Sequence, residues 1–572
     1  MKGTDMNKEA ILHIPNSKFC FAINDNTVIL RLRAARNDHF EKVSVIYGGK
    51  YDFFEKQKRL TLTALYTDSL FCYYQIMLEM DDVRLVYIFE IQHNDKVIYY
   101  SEDGLTDSFN YTFNYFNAFQ LPYINAIDVH REVKWMREAV FYNIFVDRFF
   151  RGDEDKDDSY IDLKWGTAPN AKSFAGGDLK GITKKLDYLA DLGINVLYLT
   201  PIFRSVSNHK YDTGDYYQID RHFGRNEDFK ELVKMAHRFG IRVMIDAVFN
   251  HCGEDLMQFQ DVVQHGKASP YFDWFIINGD KPTKTPLNYE CFAACDYMPK
   301  LNSSNRKLQQ FLLEITEFWT KEYDIDGWRL DVSDEVSHDF WRKFRECVKG
   351  IKADCVIIGE NWHDANPFLL GDQYDSIMNY AYTKACYDYF ANGLIDAEGF
   401  AQRLSGLLMR NTEPVNAMML NILDSHDTHR FLTLAKGNID KLLCALAVTF
   451  MYMGAPGIYY GTEIGLNGNH DPDSRRTFDW QRAEEGTVIM KIIKDLAALK
   501  KSEELKSGDI KLYAQNGLFV LERTAGEKGL KLSVNNTGAG IRHEVVGAVV
   551  LCHNLAGYIL QNDGFIIEAV SG

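Results

Sequence analysis

Polar and apolar residues alternate with a period of two through much of the first 125 residues, which is typical of β-strands. Clusters of Asn, Asp and Gly, which favour turns, separate these stretches. The stretches lie at residues 27–33, 42–47, 85–91 and 97–100. Because short strands recur with turns between them, we predict that the first domain is a β-sandwich at residues 1–125.

From about residue 138 the pattern changes to short apolar runs that alternate with helical stretches, for example at 178–192, 226–239 and 305–323. Apolar runs bounded by turn residues favour buried strands, and their alternation with helices favours a parallel sheet. The runs lie at residues 140–146, 194–200, 242–248, 327–331, 356–360, 376–380, 418–423 and 457–460. Eight strands form a closed (β/α)8 TIM barrel, so we predict an α/β fold with this barrel at residues 126–503. The sixth run has the weakest pattern. Asn226 is the predicted N-cap of the helical stretch at 226–239.

Two further regions complete the predicted organisation. The segment 249–304 after the third strand is too long for an ordinary loop and is rich in Asn, Asp, Pro and aromatic residues. Long loops at this face of a barrel usually carry function, so we predict an inserted loop domain there. Strand patterns with many glycines return after residue 503, which predicts a C-terminal β-sandwich at residues 504–572.

Composition and charge exclude several classes of partner. The chain has 572 residues, of which 46% are hydrophobic and 25% charged, as in ordinary globular proteins. Its formal net charge of −16 disfavours nucleic acid and anionic membranes as partners. No apolar run approaches the ~20 residues of a membrane span, and the first residues lack the apolar core of a signal peptide. We therefore expect a cytoplasmic protein.

The ten cysteines include no C-x-x-C pair. Cys291 and Cys295 are close enough in sequence to form a metal or disulfide clip. Free thiols in a reducing cytosol are the favoured interpretation.

Three acidic residues follow three of the predicted barrel strands. Asp331 closes the run that begins at residue 327, Glu360 closes the run that begins at 356, and Asp427 follows the run at 418–423. The carboxyl ends of barrel strands are where this fold carries its chemistry. Carboxylates that converge on one pocket can serve as nucleophile, acid and stabiliser in glycosidic bond cleavage. Each residue taken alone could be a helix cap or a surface ion pair, but three in register favour catalysis.

Residues 138–503 resemble the α-amylase family of glycoside hydrolases, because four short motifs of that family occur in order at strand ends. The motifs lie at residues 246–251, 327–331, 359–362 and 425–427. The β-rich first domain and the segments 209–213 and 298–302 are similar to the neopullulanase, cyclomaltodextrinase and maltogenic amylase branch. The resemblance implies a retaining α-glycosidase that hydrolyses α-1,4, and as an option α-1,6, glucosidic bonds of maltooligosaccharides, cyclodextrins or pullulan through a covalent glycosyl-enzyme.

The resemblance also implies catalytic roles. Asp331 would be the nucleophile, Glu360 the general acid and then the base, and Asp427 the stabiliser of the transition state. Arg329 lies two residues before Asp331 on the same strand face, so we expect it to lower the pKa of Asp331. The Val and Ile residues before Glu360 suggest an apolar surround that raises the pKa of Glu360.

Further residues match substrate-binding positions of the family: Tyr211, His251, Arg329, His426, Trp362, Glu335, Asp471 and Arg475. Three alternatives stay open at this point. Trp362 could line an acceptor subsite or serve packing, Glu335 could affect bond preference or have no role, and Asp471 with Arg475 could clamp the donor or form a surface ion pair. We expect Asp246 to hold the loop that presents His251, and His338 and His363 to be solvated or capping residues.

Many relatives bind calcium beside the first barrel loop. The matching ligands here would be Asp153, Asp157, Asp178 and the carbonyl oxygen of Gly176. Their oxygens suit a hard cation. Arg151 and Lys156, however, stand where the branch usually has neutral amides, so a cationic side chain could replace the ion. The chemistry requires no cofactor, and calcium is an option.

The resemblance implies a homodimer in which the first domain of one subunit covers the active site of the other. Two rival functions share the fold. A sugar hydroxyl could capture the covalent intermediate instead of water, which would make the protein mainly a transglycosylase. A non-catalytic carbohydrate-binding barrel is disfavoured because the three carboxylates are present. A starch-binding role for the first domain by itself stays open.

Overall fold

The computed structural model describes residues 6–571, apart from the side chains of residues 113–115. Its N-terminal part consists of two antiparallel sheets, in the orders β1-β2-β6-β5 and β4-β3-β7-β8-β9, with β10 beside β7. The strands are β1 (Cys20–Ala22), β2 (Thr27–Ala35), β3 (Lys42–Gly49), β4 (Lys58–Thr61), β5 (Thr63–Thr67), β6 (Phe71–Glu79), β7 (Leu85–His93), β8 (Lys96–Ser101), β9 (Gly104–Thr106) and β10 (Phe119–Leu121). A short helix, α1 (Asn114–Asn117), precedes β10.

Strand β2 is buried on both faces, and this explains its residue pattern. Val28, Leu30 and Leu32 point into the core between the two sheets. Ile29 and Arg31 alternate with them and therefore face the barrel side, where both are buried. The predicted β-sandwich is confirmed, and one of its sheets lies against the rest of the molecule.

The barrel consists of eight adjacent parallel strands in the order β18-β17-β16-β15-β12-β11-β20-β19. A parallel bridge between Met378 and Leu420 joins the two outer strands and closes the ring. The predicted TIM barrel is therefore confirmed. Its strands, with the hairpin β13–β14 that follows β12, are β11 (Phe141–Ile144), β12 (Val196–Leu199), β13 (Phe203–Ser205), β14 (Thr213–Ile219), β15 (Arg242–Ala247), β16 (Gly327–Leu330), β17 (Val356–Gly359), β18 (Ser376–Ile377), β19 (Leu420–Ile422) and β20 (Ala455–Tyr459).

Amphipathic helices surround this sheet, and their apolar faces form one core with the outward side chains of the strands. The helices are α2 (Val146–Phe149), α3 (Leu179–Lys184), α4 (Leu186–Asp191), α5 (Asn226–Arg238), α6 (Met257–His265), α7 (Arg306–Glu322), α8 (His338–Ile351), α9 (Tyr380–Cys386), α10 (Ala397–Leu408), α11 (Glu413–Met418), α12 (Phe431–Leu434), α13 (Ile439–Met451), α14 (Trp480–Glu485), α15 (Val488–Leu499) and α16 (Glu503–Ser507).

Three details of the predicted barrel are wrong. The predicted helix 178–192 is two helices that meet at Lys185. Asn226 is not an N-cap: Arg225 holds that position, and the side chain of Asn226 instead bonds to the backbone of Tyr217 and Ile219. The seventh strand begins at Leu420 because the residues before it form α11.

The inserted segment after β15 contains α6 and several isolated antiparallel bridges, including one between His251 and Lys300. A C-terminal β-sandwich was predicted, and the C-terminal part is an antiparallel sheet domain whose strands belong to a single sheet in which the long β26 pairs with three others. These strands are β21 (Asp509–Gln515), β22 (Leu518–Ala525), β23 (Lys528–Asn535), β24 (Ile541–Arg542), β25 (Ala548–Ala556) and β26 (Ile559–Ser571). Across residues 6–571, every helix is too short or too polar to cross a bilayer.

Candidate active site

Strand alternation in β16 decides which side chain enters the barrel. Trp328 and Leu330 point outward and join the core formed with the helices. Arg329 lies between them and therefore points inward, where its side chain is fully buried. A cation at this depth requires anionic partners, since an unpaired buried charge is costly.

Arg329 contacts three carboxylates from three strand ends. Its Nη1 donates hydrogen bonds to Asp331 Oδ1 at 2.7 Å and to both oxygens of Asp246, at 2.9 and 3.0 Å. Its Nη2 lies 2.7 Å from Glu360 Oε2. Asp331 and Glu360 therefore flank one guanidinium, and their separation is limited to the width of that group plus two short contacts. The structure therefore brings these two acids together.

The carboxylate of Glu360 is held by two further donors. The backbone N–H of Val332 donates to Oε2 at 3.0 Å, and the indole N–H of Trp362 donates to Oε1 at 3.2 Å. The hydroxyl of Ser333 donates to the Glu360 carbonyl at 2.6 Å, which fixes the backbone as well. Oε1 lies on the side of Trp362, which is half exposed, so this oxygen lies toward the open cleft.

Burial raises the pKa of Asp331 and of Glu360, and Arg329 opposes this effect at both. The expected rise for Glu360 is confirmed. The expected fall for Asp331 is wrong, because desolvation of this fully buried carboxyl outweighs the guanidinium. Burial also raises the pKa of Asp246 to about 6. Three carboxyls around one guanidinium carry surplus negative charge, which favours retention of a proton in the cluster near neutral pH.

Asp427 is close enough to this cluster to raise the pKa of Glu360, and it is more exposed. Arg475 donates from Nη2 to its Oδ1 at 3.3 Å, and His426 Nε2 lies 3.1 Å from its Oδ2. Arg475 also pairs with Asp471 at 2.9 Å and donates to the His426 carbonyl at 2.9 Å. Asp471, Arg475 and Asp427 thus form one chain of contacts at the cleft, as the predicted clamp requires.

Two histidines and a tyrosine contact the acids from neighbouring loops. Tyr211 stacks on His426, and its hydroxyl lies 2.5 Å from His426 Nε2 and 3.2 Å from Asp246 Oδ2. His251 Nε2 lies 3.8 Å from Asp331 Oδ2. Burial lowers the pKa of His251 to about 3 and the pKa of His426 well below its usual value, so both rings are neutral.

Several buried polar atoms in this cleft have no hydrogen-bond partner among the described residues. They are Asp331 Oδ2, His251 Nε2 and His426 Nδ1. Buried polar groups normally have partners, and a group left without one needs an explanation. A polyhydroxylated ligand supplies both donors and acceptors, so it would satisfy these atoms.

Trp362 and Glu335 are two exposed side chains on the loops that follow the strands of the catalytic acids. Trp362 stacks on Tyr380 with ring centroids 3.7 Å apart, and its outer face is open to solvent. Glu335 is exposed and pairs with Lys300 at 3.0 Å. Lys300 also bonds to the side chain of Asn250, so it ties the inserted segment to the loop after β16.

Sequence reasoning did not identify Tyr380, Lys300, Phe292 or His209 as parts of this site. Phe292 stacks on His251 at 4.8 Å, and His209 stacks on Tyr211 at 5.9 Å. Lys300 and His209 lie inside the two segments that mark the branch, so those motifs were the available signal. Nothing in the local pattern marks Tyr380 or Phe292.

Other expected roles were only partly right. Asp246 is structural, but it holds Arg329, Tyr198 and Tyr211 rather than the loop of His251. His338 bonds to Gln373 and stacks on Phe368, whereas His363 is exposed and pairs with Asp334. All ten cysteines are free thiols, including Cys291 and Cys295.

The four candidate calcium ligands do not come together around a space for an ion. The ammonium of Lys156 contacts the Gly176 carbonyl at 2.5 Å, Asp178 Oδ2 at 2.8 Å and the His222 carbonyl at 3.2 Å. Asp153 pairs with Lys180, and Asp157 is exposed. Within the described part of the chain there is no cluster of three acidic, His or Cys side chains suited to a metal. The residues therefore do not fit calcium, since a lysine holds the central position.

Comparison with known proteins decides the family. The profile of the alpha amylase catalytic domain matches residues 143–511, and that of the alpha amylase N-terminal ig-like domain matches residues 6–125. The chain belongs to the α-amylase family. It is 43% identical to a cyclomaltodextrinase of Thermoanaerobacter pseudethanolicus over 93% of each chain, and 38% identical to an intracellular maltogenic amylase of Bacillus subtilis over 94% of this chain and 92% of the other. A solved cyclomaltodextrinase structure superposes with a TM-score of 0.90 at 36% identity, covering 99% of this chain and 98% of the other.

This α-amylase family member is a glycoside hydrolase, and the predicted branch is confirmed by these relatives. The catalytic-domain match spans the strands that carry Arg329, Asp331, Glu360 and Asp427. Such enzymes need no organic cofactor.

Proposed function

We propose that this enzyme hydrolyses α-glucosidic bonds of cyclodextrins, maltooligosaccharides or pullulan with retention of configuration. The observation that carries the proposal is the contact of Asp331 and Glu360 with the same buried guanidinium. Retaining glycosidases hold their two carboxyl groups about 5–5.5 Å apart, because one must attack carbon while the other protonates the leaving oxygen. Two carboxyls on one guanidinium suit that spacing better than the wider gap of inverting enzymes.

Asp331 is the proposed nucleophile. Its Oδ1 accepts the short hydrogen bond from Arg329, which favours the charged form, and its Oδ2 is left without a partner among the described residues. Oδ2 attacks the anomeric carbon, the bond to the leaving oxygen breaks, and a covalent glycosyl-enzyme forms. Neighbouring Glu360 raises the pKa of Asp331, and that effect is weaker while Glu360 holds the shared proton.

Glu360 is the proposed acid and base. Burial raises the pKa of Glu360, which favours the protonated form that an acid needs, and Oε1 lies toward the cleft where the leaving oxygen is expected. Glu360 donates this proton as the bond breaks. The resulting carboxylate then takes a proton from water, which attacks the anomeric carbon and releases Asp331.

The remaining residues position the sugar. Asp427 supplies negative charge close to the developing oxocarbenium ion. The neutral rings of His251 and His426 have ring nitrogens without partners in the described structure, and we assign these to sugar hydroxyls. Tyr211 offers an aromatic face beside His426. Asp471 and Arg475 form the donor-side clamp, and no step needs a metal.

Trp362, supported by Tyr380, is the proposed platform for the acceptor sugar. Its exposed indole is anchored by ring stacking on one face and by the hydrogen bond to Glu360. Glu335 at the other edge is held by Lys300 and is placed to affect bond preference. A strong acceptor platform also favours transglycosylation, which is the second candidate activity.

The names of the same relatives support a proposal for the substrates and the location. We propose that the substrates are short or cyclic glucans and that the enzyme acts in the cytoplasm. We also propose three domains, with limits at residues 1–125, 126–503 and 504–572. We further propose a homodimer in which the first domain of one subunit narrows the active site of its partner. Exposed aromatic side chains on that domain, Tyr51 and Tyr123 among them, support an interface.

A product profile tests the activity. Purified protein is incubated with β-cyclodextrin, maltotriose, pullulan and soluble starch, and the products are resolved over time. We expect faster attack on the cyclodextrin and maltotriose than on starch, and first products with the α-anomer in NMR spectra. β-anomers would contradict retention, and products longer than the substrate at high maltose would indicate transglycosylation.

Sedimentation velocity tests the assembly separately. We expect a dimer that converts cyclodextrins. A monomer with full cyclodextrin activity would contradict the proposed dimer and leave the assignment of the acids intact.

A further inference from the structure

A cavity of about 780 Å³ lies where the N-terminal sandwich, the barrel and the C-terminal sheet meet. Its barrel walls come from residues that precede the strands, such as Arg137 before β11 and Gly454 before β20. The cavity is therefore at the end of the barrel opposite the acids. Nothing in the proposed reaction uses it.

Lys500, just after α15, lines this cavity and is 1% exposed. Its ammonium donates to the Gly454 carbonyl at 2.7 Å. In the described part of the chain no carboxylate lies within 4 Å of it. Burial and the nearby Arg523 and Arg137 lower the pKa of Lys500 to about 7.

Arg523 on β22 lines the same cavity and is 2% exposed. It donates to the carbonyls of Met451, Leu505 and Gly508, and it too lacks an ion pair with any described carboxylate. Backbone carbonyls hold the guanidinium in place without neutralising it. Burial lowers its pKa to about 10, which shows how unfavourable this environment is for the charge.

Arg31 of the N-terminal sandwich provides a third cation, 1% exposed, at this cavity. Its Nε and Nη1 are bonded to Gln75, Lys18 and Asn411, but its Nη2 has no hydrogen-bond partner in the described structure. The nearest carboxylate oxygen, on Glu413, is 3.8 Å away. Each of the three domains thus contributes one buried cation.

The charge balance around the cavity is the reverse of that of the whole chain. Seven Lys and Arg side chains line it against three Asp and Glu, although the chain carries a net charge of −16. Buried charges without partners destabilise a fold by several kcal/mol each, so a cavity that collects them indicates a missing anion. Two neighbouring buried cations, Lys500 and Arg523, fit an anion with several oxygens better than a single carboxylate.

We propose that this cavity, which Arg31 also lines, binds a phosphate-type oxyanion, free or as part of a sugar phosphate, beside Lys500 and Arg523. The ligand joins all three domains. It therefore stabilises the folded chain by mass action whenever it binds the folded state alone. Binding needs neither substrate nor the acids of the active site, so this inference stands or falls separately from the proposed function.

Titration calorimetry on the full chain tests the proposal. Inorganic phosphate and glucose 1-phosphate are the probes, maltose is the neutral control, and chloride keeps the ionic strength constant in a buffer without oxyanions. We expect saturable binding at one site per chain and a higher unfolding temperature with at least one probe. Tighter binding of phosphate would identify the free ion as the ligand, and tighter binding of the ester would identify a sugar phosphate.

The Lys500→Met variant removes the charge and keeps the length of the side chain. We expect it to bind the same probe at least about tenfold more weakly, since a charge-assisted contact is lost. Lys491→Met is the matched control, because Lys491 is exposed and pairs with Asp495 away from the cavity. This control is expected to bind like the unmodified protein.

Two results would overturn the proposal. One is the absence of binding for both probes up to about 10 mM, a concentration at which even weak sites fill. The other is unchanged affinity in Lys500→Met. If that variant does not fold, a crystal of the unmodified protein with phosphate decides the matter, and phosphate density anywhere but between Lys500 and Arg523 counts against the site.

Discussion

The two ends of the barrel surround their buried cations in opposite ways. At the carboxyl end of the strands, Arg329 contacts three carboxylates. At the other end, Lys500 and Arg523 bond only to backbone carbonyls among the described residues. Negative charge is in surplus at the first end and positive charge at the second.

The charge of a ligand explains the surplus of charge at each end. Glycosidic cleavage develops positive charge on the sugar ring, and surplus carboxylate stabilises that transition state more than the ground state. The same surplus keeps a proton in the cluster for Glu360 to donate. At the opposite end the surplus positive charge suits an anion from solution. The local charge imbalance therefore indicates the kind of ligand better than the net charge of the chain does.

The largest expected effect is the loss of activity in Asp331→Asn. The amide keeps the shape of the side chain but cannot attack the anomeric carbon, so we expect kcat on a chromogenic maltoside to fall on the order of 10⁴-fold or more. Circular dichroism and thermal unfolding check that the fold is retained. Activity equal to that of the unmodified protein would remove Asp331 from the mechanism and revive the non-catalytic binding barrel.

Removal of the central cation comes next. In Arg329→Met three buried carboxylates lose their shared partner, and we expect a loss of about 3–5 kcal/mol in the free energy of unfolding at pH 7. The loss should be smaller at pH 5, because protonation of those carboxyls relieves their repulsion. Urea unfolding at both pH values measures this, with exposed Arg221→Met as control. A variant as stable as the unmodified protein would show that the carboxylates do not depend on Arg329.

Sequence patterns predicted most of the barrel because its strands are buried apolar runs. They could not predict where a strand forms only part of its backbone hydrogen bonds to the neighbouring strand. In the sixth strand, Ser376–Ile377 alone pair as a strand, and the side chain of Asp375 accepts the backbone N–H of Ile357 next to them. A side chain that replaces a ladder hydrogen bond leaves no periodic signal. Met418 looked like strand because an apolar run does not distinguish a strand from a buried helix end.

The candidate site was predictable as far as it depends on strand ends. Asp331, Glu360 and Arg329 lie in register on neighbouring strands, so their proximity follows from the fold. The depth at which these side chains are buried does not follow from the fold alone. For that reason the direction of the Asp331 pKa shift was predicted wrongly. Phe292 and Lys300 reach the site from the inserted segment, and only tertiary structure shows which loop residues return to the cleft.

Removal of Lys500, a buried cation at the opposite end of the barrel, should raise the free energy of unfolding at pH 7 instead of lowering it. Lys500 has a pKa of about 7 in the fold against 10.5 as the ordinary value, so the unfolded chain binds more protons between these pH values. Stability of the unmodified protein therefore falls as pH decreases from 10 to 7. Lys500→Met lacks this dependence but also loses the bond to Gly454, and we expect a net gain of about 1–3 kcal/mol at pH 7 in buffer without oxyanions.

The gain should shrink at pH 9, where Lys500 is neutral in the folded unmodified protein. Urea unfolding of both proteins at pH 7 and 9 measures the difference, and Lys491→Met again serves as control. A Lys500→Met variant less stable than the unmodified protein at pH 7 would mean that this lysine is a favourable buried cation, which removes the contrast between the two ends.

The smallest expected effect concerns Lys156, a cation whose partners all belong to the chain. Lys156 contacts one carboxylate and two carbonyls beside the first barrel loop, and oxygens of these kinds also suit calcium. In Lys156→Asn these oxygens lose the ammonium and gain an amide oxygen. We expect calcium to raise the unfolding free energy of this variant by about 1 kcal/mol at millimolar concentration. The unmodified protein should unfold at the same temperature in calcium and in EDTA, because its lysine already fills the position.

Lys180→Asn, which removes a surface lysine paired with Asp153, is the control and should not respond. Stabilisation of the unmodified protein by calcium would contradict this prediction. It would show that calcium displaces the Lys156 ammonium, so that the lysine does not replace the metal permanently.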